Sequence, residues 1–136
     1  MSPILLDTHA ALWAASKSLA PEVKATVSAA AERGELLISP ISAWEIGVLV
    51  RKGRIRLLVP VEEYVRSLFR LTGVVTAQLS PVIALAATTL PGAFHADPAD
   101  RLLVATAAEY GARFVTRDKK IHAYARATNY LKCLAC

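Results

Sequence analysis

Four acidic residues, Asp7, Glu45, Asp100 and Asp118, each fall next to a place where a helix is expected to begin. Each has an ordinary explanation as a helix cap. Asp7 can cap a helix starting near Thr8, and Asp118 can do the same after the last core strand. Ser42-Ala43-Trp44-Glu45 matches a capping box with Ser42 at N-cap and Glu45 at N3. Asp97-Pro98-Ala99-Asp100 reads as Asp97 at N-cap, Pro98 at N1 and Asp100 at N3. Considered together, the acids suggest different chemistry. Carboxylates gathered in a partly buried cleft repel one another, and a divalent cation removes that penalty. All-oxygen ligation suits Mg²⁺ or Mn²⁺, whereas zinc prefers His or Cys. In this reading Asp7 and Asp100 are direct ligands, and Glu45 and Asp118 ligate directly or through water. A cation so held activates a bound water for in-line attack on a phosphate, and a carboxylate with an oxygen to spare orients or deprotonates that water.

The acids can meet only if the intervening elements bring them to one place. Pro3 to Leu6 is a brief apolar strand, followed by a helix from Thr8 to Ala15. Pro21 opens a second helix reaching about Arg33, with Gly34 just past its end. Leu36 to Ile38 is a second strand, leading to a helix from about Ala43 to Lys52 that Gly53 stops. Val61, Tyr64, Val65, Leu68 and Phe69 form the apolar stripe of an amphipathic helix ended by Gly73. Val74 to Leu79 reads as a short strand and Pro81 to Leu90 as a helix. Pro98 to Tyr110 is helical, Gly111 ends it, and Arg113 to Thr116 is a strand. A helix from Lys119 to Arg126 and a strand near Tyr130 to Leu134 follow. This alternation predicts an α/β protein, a single domain over residues 1–136 with a short, mainly parallel sheet covered on both faces. Ligands in such sheets bind beyond the carboxyl ends of the strands, where these acids fall.

Composition narrows the partners. The net charge of +5 is compatible with a polyanion without requiring one. The chain is 54% hydrophobic and its mean hydropathy is +0.40, so surplus apolar surface is expected to be covered by another chain. No apolar run approaches the roughly 18 residues of a membrane span, and the start of the chain lacks the marks of a signal peptide. A cytoplasmic location is the resulting expectation. Cys133 and Cys136 form an isolated C-x-x-C, with no second pair to complete a zinc site, and read as free thiols.

The acids sit in recognisable surroundings. Leu6-Asp7-Thr8-His9-Ala10-Ala11-Leu12-Trp13 resembles the opening of PIN-domain (PilT N-terminus) toxins of the VapC type, as does Ser42-Ala43-Trp44-Glu45-Ile46 with the basic helix end Arg51-Lys52-Gly53. The most specific block is Phe94-His95-Ala96-Asp97-Pro98-Ala99-Asp100-Arg101-Leu102-Leu103-Val104-Ala105-Thr106-Ala107, and Val115-Thr116-Arg117-Asp118 supplies the fourth. The blocks occur in family order from residue 6 to residue 118. The resemblance implies an α/β/α sandwich and a Mg²⁺- or Mn²⁺-dependent endoribonuclease, the toxin of a type II toxin–antitoxin system. Asp7, Glu45, Asp100 and Asp118 are its implied site acids, and Asp97 is left as an N-cap. It further implies an RNA substrate, a tightly bound antitoxin, contact with operator DNA only through that antitoxin, and, with the apolar composition, a homodimer.

Other readings remain open on the residues alone. A PIN-type nuclease in RNA processing needs no antitoxin, and a non-catalytic RNA- or protein-binding module can share the fold. A phosphatase with Asp7 as nucleophile usually has a second acid two residues on, and position 9 is His. His9 and His95 lie near the acids, although packing or helix-start roles are the more ordinary reading. Thr116 is either a plain strand threonine or a partner for a metal-bound water. Arg51, Lys52, Arg54 and Arg56 form a solvated helix end that also suits RNA backbone or an acidic protein segment. Trp13, Trp44, Ile46 and Leu49 are the expected apolar face for a partner, and nothing in the sequence favours base stacking by either tryptophan.

Overall fold

The computed structural model describes residues 2–16 and 18–136. Its sheet has five strands, β1 (Ile4–Leu6), β2 (Leu36–Ile38), β3 (Val74–Thr76), β4 (Arg113–Val115) and β5 (Lys132–Leu134), in the order β3-β2-β1-β4-β5. All four pairings are parallel, so the sheet is wholly rather than mainly parallel. β1, β2 and β4 are short apolar runs because both faces of a parallel sheet are covered. Ile4, Leu6, Ile38 and Val115 face one core together with Ala10, Ala11, Val23, Val27, Ile46 and Leu68. Leu5, Leu37 and Phe114 face the other with Ile83, Leu103, Val104, Ala107, Ile121 and Tyr124.

Among the described residues, seven α-helices supply those layers. α1 (Thr8–Ala15), α2 (Pro21–Glu32), α3 (Pro40–Arg51) and α4 (Val61–Phe69) contribute to the first core, while α5 (Pro81–Ala86), α6 (Pro98–Tyr110) and α7 (Lys119–Thr128) contribute to the second. The result is the expected α/β/α sandwich. The amphipathic stripe over 61–69 and the helix over 98–110 fall where the sequence places them, and Gly111 ends α6 with φ of 62°. The helix anticipated over 81–90 is α-helical only to Ala86 and continues as a 3₁₀ turn over Ala87–Thr89.

The chief correction is at α3. It begins at Pro40 with Ser39 as N-cap, the hydroxyl accepting from the Ile41 amide at 3.0 Å, so Ser42 and Glu45 are not a capping box. Pro40 is well suited to N1, where it loses no hydrogen bond. The shift moves Ser42 into the helix interior and places Glu45 in the second turn.

Strand register also explains the C-terminal cysteines. Cys133 packs with the α5–α7 core, whereas Cys136 packs with the opposite core. Both are free, as expected, and burial pushes the Cys133 thiol up to about 11, which keeps it protonated and unreactive. Among the described residues, no helix is long and apolar enough to cross a membrane.

Candidate active site

β1 lies at the centre of the sheet; the chain runs from it through β2 to β3 at one edge and then returns to β4 on the other side of β1. The crevice at such a switch point is where open parallel sheets bind ligands. Leu6 pairs with Ile38 on one side and with Val115 on the other, so Asp7 and Thr116 emerge side by side. Asp7, Glu45, Asp100 and Asp118 all line one cleft of about 770 Å³. Asp97 also lines it.

Three of these acids cap helices while facing the cleft. Asp7 Oδ1 accepts from the Ala10 amide at 2.7 Å. Asp118 Oδ1 accepts from the Lys120 amide at 2.8 Å. Asp97 Oδ1 accepts from the Ala99 and Asp100 amides at 3.0 and 3.3 Å. A carboxylate has two oxygens, so a cap made through one leaves the other for a ligand. The capping and metal-binding readings are therefore compatible.

Buried hydroxyls fix the remaining geometry. Thr116 Oγ1 accepts from the Asp118 amide at 3.0 Å, beside Asp7 at the strand ends. Thr8 bridges Ser42, at 3.0 Å, and Glu45 Oε1. Thr8, Ser42 and Thr116 are all buried. Sequence reasoning weighed Thr116 but missed the Thr8–Ser42–Glu45 link, because the false capping box had occupied Ser42. The available signal was Thr8 itself, a polar residue directly after Asp7 at the mouth of a buried strand.

The electrostatics register the crowding. Burial raises Asp7 above its ordinary range, with Asp118 adding to it, while Thr116, the Ala10 amide and His9 oppose. Burial likewise raises Glu45, opposed by Thr8 and reinforced by Asp97 and Asp7. Asp100 is pushed up to about 7, first by burial and then by repulsion from Asp97, Glu45, Asp118 and Asp7.

His95 is held closer to the acids than its sequence position suggested. Its ring stacks on Phe94, Nδ1 accepts from the Asp97 amide at 3.3 Å, and Nε2 lies 3.4 Å from Asp100 Oδ2. The Nε2 nitrogen is buried beside the Asp100 carboxyl and has no hydrogen-bond partner within the protein. On the opposite wall the Arg117 guanidinium lies 3.9 Å from the Trp13 ring centroid, with Nε bonded to the Cys136 carbonyl. Lys52 and Arg54 line the cleft at the far end of α3.

The family profile described as PIN domain matches residues 4–127. The chain belongs to the PIN-domain family. It is also similar to Ribonuclease VapC22 of Mycobacterium tuberculosis, at 36% identity over 124 residues covering 91% of this chain and 93% of that protein. The ordered blocks thus mark a VapC-type PIN domain.

The acid cleft of this PIN domain fits a hard divalent cation. Donor atoms of His95, Asp100 and Asp118 lie within 4.8 Å of one another, and the crowding that raises Asp100 is what a cation would relieve. Oxygen donors predominate, with one imidazole nitrogen beside them.

Proposed function

We propose that this chain is a Mg²⁺- or Mn²⁺-dependent endoribonuclease acting as the toxin of a type II toxin–antitoxin pair, with Asp7, Glu45, Asp100 and Asp118 as its site acids. The observation that carries the reading is the convergence of these acids on one cleft, with Asp100 raised to about 7 by burial and by its neighbours. The similarity to Ribonuclease VapC22 supports RNA as substrate.

Asp7 and Asp100 hold the ion, and Asp118 completes the acidic wall through the carboxylate oxygen not used in capping. A divalent cation held there would supply an acidified water and would stabilise charge on the phosphate. Glu45 is oriented by the Thr8 hydroxyl at Oε1, which leaves Oε2 to take a proton from the attacking water. Thr116 holds the amide of Asp118 beside Asp7, which keeps Asp118 at the mouth of the cleft. Arg117, fixed by Trp13 and the Cys136 carbonyl, presents its remaining N–H groups to the phosphate.

The partner expectation needs one correction. Ile46 is fully buried, so it is not part of an exposed apolar face. Trp44 of the expected face is exposed, and further exposed apolar side chains include Leu58 and Val59, between α3 and α4, and Val82 and Leu85 on α5. In this reading the antitoxin and a second copy of the chain cover exposed apolar side chains of this kind. Operator DNA is reached only through the antitoxin, and the pair works in the cytoplasm.

The test is cleavage of single-stranded RNA by highly purified protein. Activity should vanish in EDTA, return with Mg²⁺ or Mn²⁺ but not Ca²⁺, and be absent from Asp7→Asn protein of unchanged circular dichroism. Full activity in EDTA would refute the metal mechanism.

A further inference from the structure

Trp13 and Trp44 both line the acid cleft, but their surroundings differ. Trp13 is half-buried, its ring covered by Arg117. Trp44 is 63% exposed. A large indole left in water forfeits much of the apolar burial that makes tryptophan useful in a fold, so its open face is not explained by packing. Trp44 also stands directly before Glu45 in α3.

The face of α3 on which it lies has a direction. Trp44, Val48 and Lys52 follow i, i+4, i+8 spacing, share one side of the helix and all line the cleft. The stripe therefore begins with an aromatic surface beside the acids and ends about 12 Å away in a cation. Arg54 adds a second cation just beyond Gly53. An aromatic platform followed by basic residues along a groove is the arrangement that holds single-stranded nucleic acid: bases stack on the ring and the backbone follows the charge.

We infer that Trp44 is a substrate-positioning residue that stacks an unpaired RNA base next to the scissile phosphate, while Lys52 and Arg54 hold the backbone as it leaves the acids. The inference rests on the ribonuclease reading and adds to it a preference for unpaired RNA and a side of the cleft for the flanking nucleotide. A base already stacked inside a duplex cannot lie on the indole without being unpaired. RNA is taken as the occupant because the stripe sets an exposed indole and cations in one groove, and each nucleotide supplies a flat ring for the one and a phosphate for the other.

The experiment is binding rather than turnover. A mixed-sequence single-stranded RNA oligonucleotide is titrated into the full chain with Ca²⁺ present, and tryptophan emission and Kd are recorded beside the matching duplex. Single strands should quench emission and duplex should not. Trp44→Phe should bind within a few-fold of the original chain. Trp44→Leu, apolar but without a π-face, should bind roughly 5- to 150-fold more weakly and lose the quenching. The solvent position of the side chain leaves the fold intact in both variants, which circular dichroism checks. Equal RNA affinity in Trp44→Leu, or equal losses in the Phe and Leu variants, would overturn the stacking role. So would a Leu variant that keeps RNA affinity but no longer co-purifies with a co-expressed protein partner, which would assign this face to protein. Quenching by single strands without cleavage in Mg²⁺ or Mn²⁺ would instead refute the ribonuclease reading and leave the stacking role standing.

Discussion

Replacing Asp100 by Asn should stabilise the metal-free protein at neutral pH. The Asp100 carboxyl is raised from 3.8 to about 7, and its side chain is only 24% exposed, so water screens it little. The interval corresponds to about 4 kcal/mol once the group is ionised in both folded and unfolded chains. Asparagine loses a favourable charge at the start of α6 and the His95 contact, which together subtract about 1 kcal/mol. A net gain of about 3 kcal/mol raises Tm by roughly 9 °C for a chain of this size. The pH dependence has a definite sign. Because the folded pKa is above the unfolded one, the folded chain binds more protons between about pH 4 and 7, and its stability falls as pH rises through that window. Below the window Asp100 is neutral in both states and the variant should gain little. Thermal melts of both proteins in EDTA from pH 4 to 8 measure the difference. Mg²⁺ should then raise the Tm of the original chain at pH 7.5 while having little effect on the variant. An Asp100→Asn protein that melts below the original at pH 8 in EDTA, or a difference that does not change with pH, would refute the crowding argument.

Asp97→Ser should keep the α6 cap and most RNA cleavage, whereas Asp97→Ala should lose about 1 kcal/mol of stability in urea melts. Gly73 adopts φ of +85°, and a Cβ there would sit 2.2 Å from the Ala31 carbonyl oxygen. Gly73→Ala should therefore cost at least about 2 kcal/mol, against about 1 kcal/mol for Gly34→Ala, where no atom lies within 4 Å; comparable costs would argue against that close approach. Thiol titration after air oxidation and unfolding should still find both Cys133 and Cys136 reduced, since the sheet lies between them.

Local chemistry determined much of this molecule directly. Pro98 and Gly111 bracket α6 to the residue, since proline starts a helix without losing a bond and glycine takes the left-handed end. The apolar runs at 4–6 and 36–38 marked doubly covered strands, and the acids fell at the carboxyl ends of the sheet because alternating strands and helices leave few other places for them. Strand order was not legible. Nothing local says that β1 lies between β2 and β4, yet that order sets Asp7 beside Thr116 and makes one crevice from distant segments. The start of α3 was misjudged because Ser39-Pro40 and Ser42-x-x-Glu45 are both sound helix openings. Tertiary packing decided between them: with Ser39 as the cap, Ser42 turns inward to meet Thr8, and Glu45 is left to face the cleft rather than an amide of its own helix. The sequence also supplied Trp44 and Ile46 as equivalent apolar candidates. Only the rotation of α3 against the sheet buries Ile46 and leaves Trp44 in water, because a helix two residues along presents the opposite face.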